Sequence, residues 1–130
     1  MIFEEALTLT EPFDDVVDRV VSAFADQGFG VITEIDMKAT LKDKIDEDID
    51  HLMILGMCSP GLANEALKVV PHIGVLLPCN VVVRETDAGV MVEVMDPGLM
   101  ATLTGDPRIE QLADHARELV NTALASVSAL

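Results

Sequence analysis

Two short stretches carry the side chains best suited to chemistry. Cys58-Ser59-Pro60 and Pro78-Cys79-Asn80 contain both cysteines of the chain, each beside a proline and a polar group. Cys58 stands just before an expected helix start, where the partial positive charge of a helix end favours thiolate, the form that attacks electrophiles or binds metal. Pro78 interrupts the run Leu76 to Val83, which otherwise reads as a buried strand. Proline has no N–H to donate and is expelled from central strands, so Pro78 marks a bulge, a strand edge or backbone that serves a site. Asn80 can both donate and accept, and could anchor a ligand or satisfy backbone near the proline. Cys58, Ser59, Pro78, Cys79 and Asn80 are therefore the candidate ligand- or cofactor-binding set, with Cys58 the candidate catalytic residue.

Each of these residues also has a plainer reading. Free cysteine is among the most buried residue types and packs as a small hydrophobe. No basic residue lies near Cys58 in sequence, and alternation turns Cys79 toward the core, so packing is the stronger reading for both. His51, Met53 and Met57 fall on one strand face as a soft row suited to copper(I) or a haem axial position; methionine at strand spacing more often packs, and no metal is assigned. His72 and His115 have no acidic or hydroxyl partner at a telling spacing. There is no H-x-x-x-H, C-x-x-C, glycine-rich phosphate loop or G-x-S-x-G elbow, so no motif names a cofactor or a reaction.

Composition narrows the partners. The net charge of −15, from 23 acids against 8 Lys and Arg, opposes phosphate backbones and anionic lipid, so no nucleic-acid or membrane partner is expected. The bland account of this acidity is a solubilising surface. With no Trp or Tyr, stacking platforms for bases or sugars are scarce and the core must be aliphatic. No apolar run approaches a membrane span, and Met1-Ile2-Phe3-Glu4-Glu5 lacks the features of a signal peptide. Two cysteines make no disulfide framework, and a cytoplasmic protein is expected.

A single domain over residues 1–130 must position these groups, since no linker, repeat or shift in composition divides the chain. Phe3 to Leu9 suggests a first strand. Thr10, Pro12, Asp14 and Asp15 then form a helix start, the stripe Phe13, Val16, Val17, Val20, Val21 and Phe24 follows, and Gly28 closes it. Phe29 to Ile35 reads as a second strand and Asp36 as the opening of a second helix. His51 to Met57 is apolar on both faces, as a strand near the sheet centre would be. Ser59 can cap, and Pro60 can begin, a short helix that Pro71 ends. A fourth strand is expected from Ile73 to Glu85, turning at Thr86-Asp87-Ala88-Gly89 into a fifth from Val90 to Asp96. Asp106-Pro107 opens a long terminal helix with an almost unbroken apolar stripe.

This order predicts an α+β two-layer sandwich, a largely antiparallel five-stranded sheet with helices packed on one face. Alternation puts Val75, Leu77, Cys79, Val81, Val83, Val90, Val92 and Val94 toward the helices. Leu76, Val82, Met91 and Met95, with Asn80, Arg84 and Glu93, take the other face. That is much apolar surface to leave in water, and a homodimer through this face or an exposed strand edge is expected.

Gln27-Gly28-Phe29-Gly30-Val31, Lys38-Ala39-Thr40-Leu41, Gly56-Met57-Cys58-Ser59-Pro60, Leu76-Leu77-Pro78-Cys79-Asn80-Val81 and Asp96-Pro97 together resemble the uncharacterised domain-of-unknown-function family 302. The resemblance runs from about Phe13 into the terminal helix, and Leu-Leu-Pro-Cys-Asn-Val is its most specific string. It implies a small α/β domain of bacteria and archaea that dimerises, and no established activity. Two positions depart from the pattern: Ser59, where Asn is more usual, and His72, where the family is more acidic or polar. Three functions remain open: a non-catalytic homodimer binding a small-molecule ligand or cofactor, which is preferred; a thiol-dependent enzyme or redox sensor using Cys58; and a structural or adaptor module whose acidic surface meets a partner protein.

Overall fold

The computed structural model describes residues 3–128, with side chains from residue 6 onward. Met1 and Ile2, part of the stretch read for a signal peptide, lie outside them. Five strands, β1 (Phe3–Leu9), β2 (Gly30–Asp36), β3 (Leu52–Cys58), β4 (Cys79–Thr86) and β5 (Gly89–Met95), form one sheet in the order β1-β5-β4-β3-β2. Every neighbouring pair is antiparallel. The helices are α1 (Phe13–Asp26), α2 (Met37–Ile45), α3 (Pro60–Val69), α4 (Gly98–Thr104) and α5 (Pro107–Ser128). The protein is thus the expected α+β sandwich.

Strand register explains the main core. Met53, Val83, Val92 and Leu7 face one another across four strands, and the row Leu55, Val81, Val94 lies beside them. With a side-chain period of two, these rows share one face. Val16, Val20, Ala23 and Phe24 of α1 and Val120, Ala123, Leu124 and Val127 of α5 close over it. Asp36 caps α2, its Oδ1 accepting from the Ala39 N–H at 3.0 Å, and Asp106 caps α5, accepting from the Arg108 N–H at 2.9 Å. Both caps satisfy otherwise orphaned donors.

A second cluster was not foreseen. Ala66, Val70, Ile73, Met100 and Ile109 form it, with Leu76, Leu77, Cys79 and Met95 packed against them. Its existence corrects several expectations. The strand predicted from Ile73 begins only at Cys79, because Pro71–Leu76 is a 3₁₀ helix closed by Ile73 N–H to Val70 O and Leu77 N–H to Gly74 O. Pro78 holds the preceding Leu77 in extended geometry (φ −106°, ψ 150°), as expected for a residue before proline, and pairing starts just beyond it. Val75, assigned to the core face, is 88% exposed, while Leu76 and Met95, assigned to the open face, pack into the second cluster. Helix α4 was missed. Thr10 does not cap α1: Pro12 occupies that position without a side-chain cap bond. Ser59 likewise caps α3 only through its backbone, its carbonyl accepting from Ala63 at 2.9 Å.

The opposite sheet face belongs to neither cluster. It carries Ile35, Leu52, Ile54, Val82 and Met91, and the Arg84 Nε donates to Glu93 Oε1 at 2.6 Å beside them. At one point this face admits no side chain. A Cβ on Gly56 would lie 2.1 Å from Thr33 Oγ1 and 2.8 Å from Pro78 Cγ, neither of which is the free end of a flexible chain. We expect Gly56→Ala to lower stability by about 1–3 kcal/mol, the usual cost of overpacking, in urea denaturation, with Thr33→Gly in the same chain restoring part of the loss. An unchanged midpoint for Gly56→Ala would contradict this packing.

Candidate functional site

Cys58 is the last residue of β3 and Cys79 the first of β4. Cys79 lies directly opposite Met57, the residue before Cys58. Both cysteines and Ser59 line one cavity of about 60 Å³ where the sheet end meets α3, α4 and α5. Met57 and Met100 also border it, as do Ala63 and Ala66 of α3 and Ala113 and Ala116 of α5. Both cysteines are free thiols.

The groove expected at five candidate residues divides in two. Cys58, Ser59 and Cys79 reach the cavity; Pro78 and Asn80 do not. The Pro78 ring lies against the Gly56 and Thr33 side of the sheet, and Asn80, opposite Gly56, is exposed on the uncovered face. His51, Met53 and Met57 share a face, yet His51 and Met57 are about 20 Å apart at strand rise, too far to share an ion. His51 instead stacks on Phe13, ring centroids 5.0 Å apart, while Met53 packs against the main core and Met57 is buried in it. Met100 and the four alanines were not singled out as site residues. Their signal was faint, because only the tertiary meeting of α3, α4 and α5 brings them to this place.

The cavity wall is almost wholly apolar. Among the described residues no His, Asp, Glu, Lys or Arg lines it, so it offers sulfur atoms and a hydroxyl but no proton-transfer group. Burial pushes the Cys79 thiol up to about 11, and proximity to Cys58 adds to this, because a low-dielectric setting disfavours the charged form. Near the cavity, Asp96 anchors the turn into α4: its Oδ1 accepts from the Gly98 N–H at 2.8 Å and from Arg117 Nη2 of α5 at 2.7 Å. A Cβ on Gly98 would lie 2.1 Å from that nitrogen, so a side chain there would push the Arg117 guanidinium aside. Asp96 is a turn former held by a cation.

A family model described as domain of unknown function DUF302 matches residues 5–127. The chain belongs to the DUF302 family. Its fold is similar to that in the crystal structure of an uncharacterized conserved DUF302 protein from Bacillus stearothermophilus, at a TM-score of 0.88 and 20% identity over 97% of this chain and 98% of that one. No curated protein matches it. Among the described residues no helix is long and apolar enough to cross a membrane.

The raised Cys79 thiol makes the stability of this DUF302 chain depend on alkaline pH. The folded state holds this proton more tightly than the unfolded chain, whose thiol titrates near the ordinary value of 9.0, so the stabilisation is complete below that pH. It is lost as pH rises toward about 11. We expect urea stability to fall across this window and Cys79→Ala to flatten the fall relative to Cys58→Ala. Equal slopes in both variants would remove burial of Cys79 as the cause.

Proposed function

We propose that this DUF302 chain is a homodimeric, non-catalytic binding protein whose cavity between β3, β4, α3 and α5 receives a small ligand. The cavity itself carries the reading: defined space among apolar side chains, with Cys58, Ser59 and Cys79 in its lining. At about 60 Å³ it is well below the roughly 150 Å³ of an engineered cavity that takes benzene and the roughly 300 Å³ of a small-molecule pocket. Its occupant is therefore a few atoms, not a nucleotide or a sugar. A thiol-dependent reaction at Cys58 is less well supported, because among the described residues no charged or basic side chain lines the cavity to activate a nucleophile or protonate a leaving group.

The second copy belongs on the uncovered sheet face. A five-stranded sheet with strands of seven or eight residues presents on the order of 500 Å². Two such faces together reach about 1,000 Å², the scale at which a specific interface becomes stable. Charge points the same way. In a chain of net charge −15, Arg84 and Glu93 neutralise each other on this face, so the pair adds no net charge beside the apolar centre at Ile54 and Val82. Two unbridged thiols fit a reducing, cytoplasmic setting.

Native mass spectrometry of the untagged protein, gently purified, tests both parts. The expected species is twice the 14.0 kDa chain plus a small increment. Ala113→Leu, which fills the cavity from α5, should lose the increment and keep the dimer. Ile54→Lys should give a folded monomer. A wild-type monomer would overturn the dimer, and an increment surviving Ala113→Leu would overturn the cavity as its site.

A further inference from the structure

Of the chain's 7 methionines and 2 cysteines, Met57, Met100 and both cysteines border the same small cavity. They arrive from three separate elements: Met57 and Cys58 from β3, Cys79 from β4 and Met100 from α4. We propose that these sulfur atoms form a binding site for a soft monovalent metal ion, copper(I) being the biological example. The proposal names the ligand of the cavity described above and rests on that reading.

Cys79 is the hub of the site. It faces Met57 directly across the β3–β4 ladder, which puts their Cβ atoms about 4.5–5.5 Å apart. One ion can bridge such a pair with metal–sulfur bonds of roughly 2.3 Å, the length of a zinc–thiolate bond. Cys79 also packs against the cluster that contains Met100, and Cys58, next to Met57 in the chain, lines the same cavity. Methionine often fills irregular gaps as packing alone, but these two thioethers belong to residues that line the same cavity as both thiols.

Donor type and charge select the ion. Thiolate and thioether are soft ligands that favour copper(I), whereas zinc sites draw on cysteine, histidine and carboxylate to complete four positions. Among the described residues no group of three His, Cys, Asp or Glu could hold a metal, so the cavity lacks the donors zinc would need. The ion displaces the thiol proton of Cys79, which leaves to solvent, and no electron changes hands. One thiolate and one monovalent cation make an uncharged unit, with Met57 and Met100 as neutral donors and Cys58 as a further sulfur at the rim. An uncharged unit suits an apolar wall; a divalent ion with a single thiolate would leave a net charge buried there.

The test is an anaerobic titration of the reduced dimer with copper(I) in competition with the chromophoric chelator bicinchoninate. One ion per chain is expected. Cys79→Ser should weaken binding by well over the roughly tenfold that even an outer-shell replacement costs, and Met57→Leu and Met100→Leu should each weaken it measurably. These leucine variants nearly conserve volume, and circular dichroism checks that they fold. Met37→Leu, at the start of α2 and outside the cavity lining, should bind as the parent does. Affinity unchanged in Cys79→Ser, or no copper(I) held against the chelator, would overturn the metal assignment. An organic mass found in the cavity by native mass spectrometry, without copper(I) binding, would overturn this inference and leave the binding reading intact. Neither an organic mass nor copper(I) would overturn both.

Discussion

The apolar stripe of α5 is the constraint on which both cores rest. Its C-terminal half gives Val120, Ala123, Leu124 and Val127 to the cluster under the sheet, and its N-terminal half gives Ile109 to the cluster beside α3 and α4. A helix of 22 residues is about 33 Å long, enough to run past the end of a sheet with seven-residue strands. Full burial of each large aliphatic side chain stabilises by about 1.5–3 kcal/mol, so neither half of the stripe can lift without losing much of a small domain's net stability. The cavity lies where α5 passes from one cluster to the other. Arg117, on the same helix, fixes its height against the sheet by holding Asp96 at the end of β5.

Strand β4 supplies the second constraint. It is the central strand, paired on both sides with β3 and β5, and a one-residue slip would turn Val81 and Val83 out of the core. Pro78 helps define its start. Lacking an N–H, it cannot join a ladder, and its ring is lodged against Gly56 and Thr33. From that fixed point alternation follows: Cys79 turns inward toward the cavity and Asn80 outward. Two adjacent residues of the most specific string in the sequence therefore serve different faces of the sheet.

The legible parts of this structure were those with a repeated pattern. The stripes of α1 and α5 and the turn of the β4–β5 hairpin have a repeated pattern, and Asp36 and Asp106 are terminal signals; these features form where the sequence placed them. Ile73 to Leu77 misled because a short apolar run has no decisive period; its burial comes from the second cluster, a tertiary fact invisible to alternation. Helix α4 was hidden for a similar reason, being seven residues long, too short to show a stripe. Of the residues that line the cavity, Cys58 and Ser59 were readable from the expected helix start, and Cys79 from the proline that interrupts its run. Met100 was not, because nothing local distinguishes a methionine that borders a cavity from one that packs.

What keeps the cavity open is small residues facing one another. Ala63 and Ala66 on α3 look across it to Ala113 and Ala116 on α5, where leucines at any of these positions would reach into the space. Larger aliphatic residues on either helix would narrow that space without altering the sheet or the helix count. The alanines and the sulfurs are therefore two halves of one arrangement. The first sets the volume of the space, the second sets the chemistry of its wall, and the ends of β3 and β4 bring the two together.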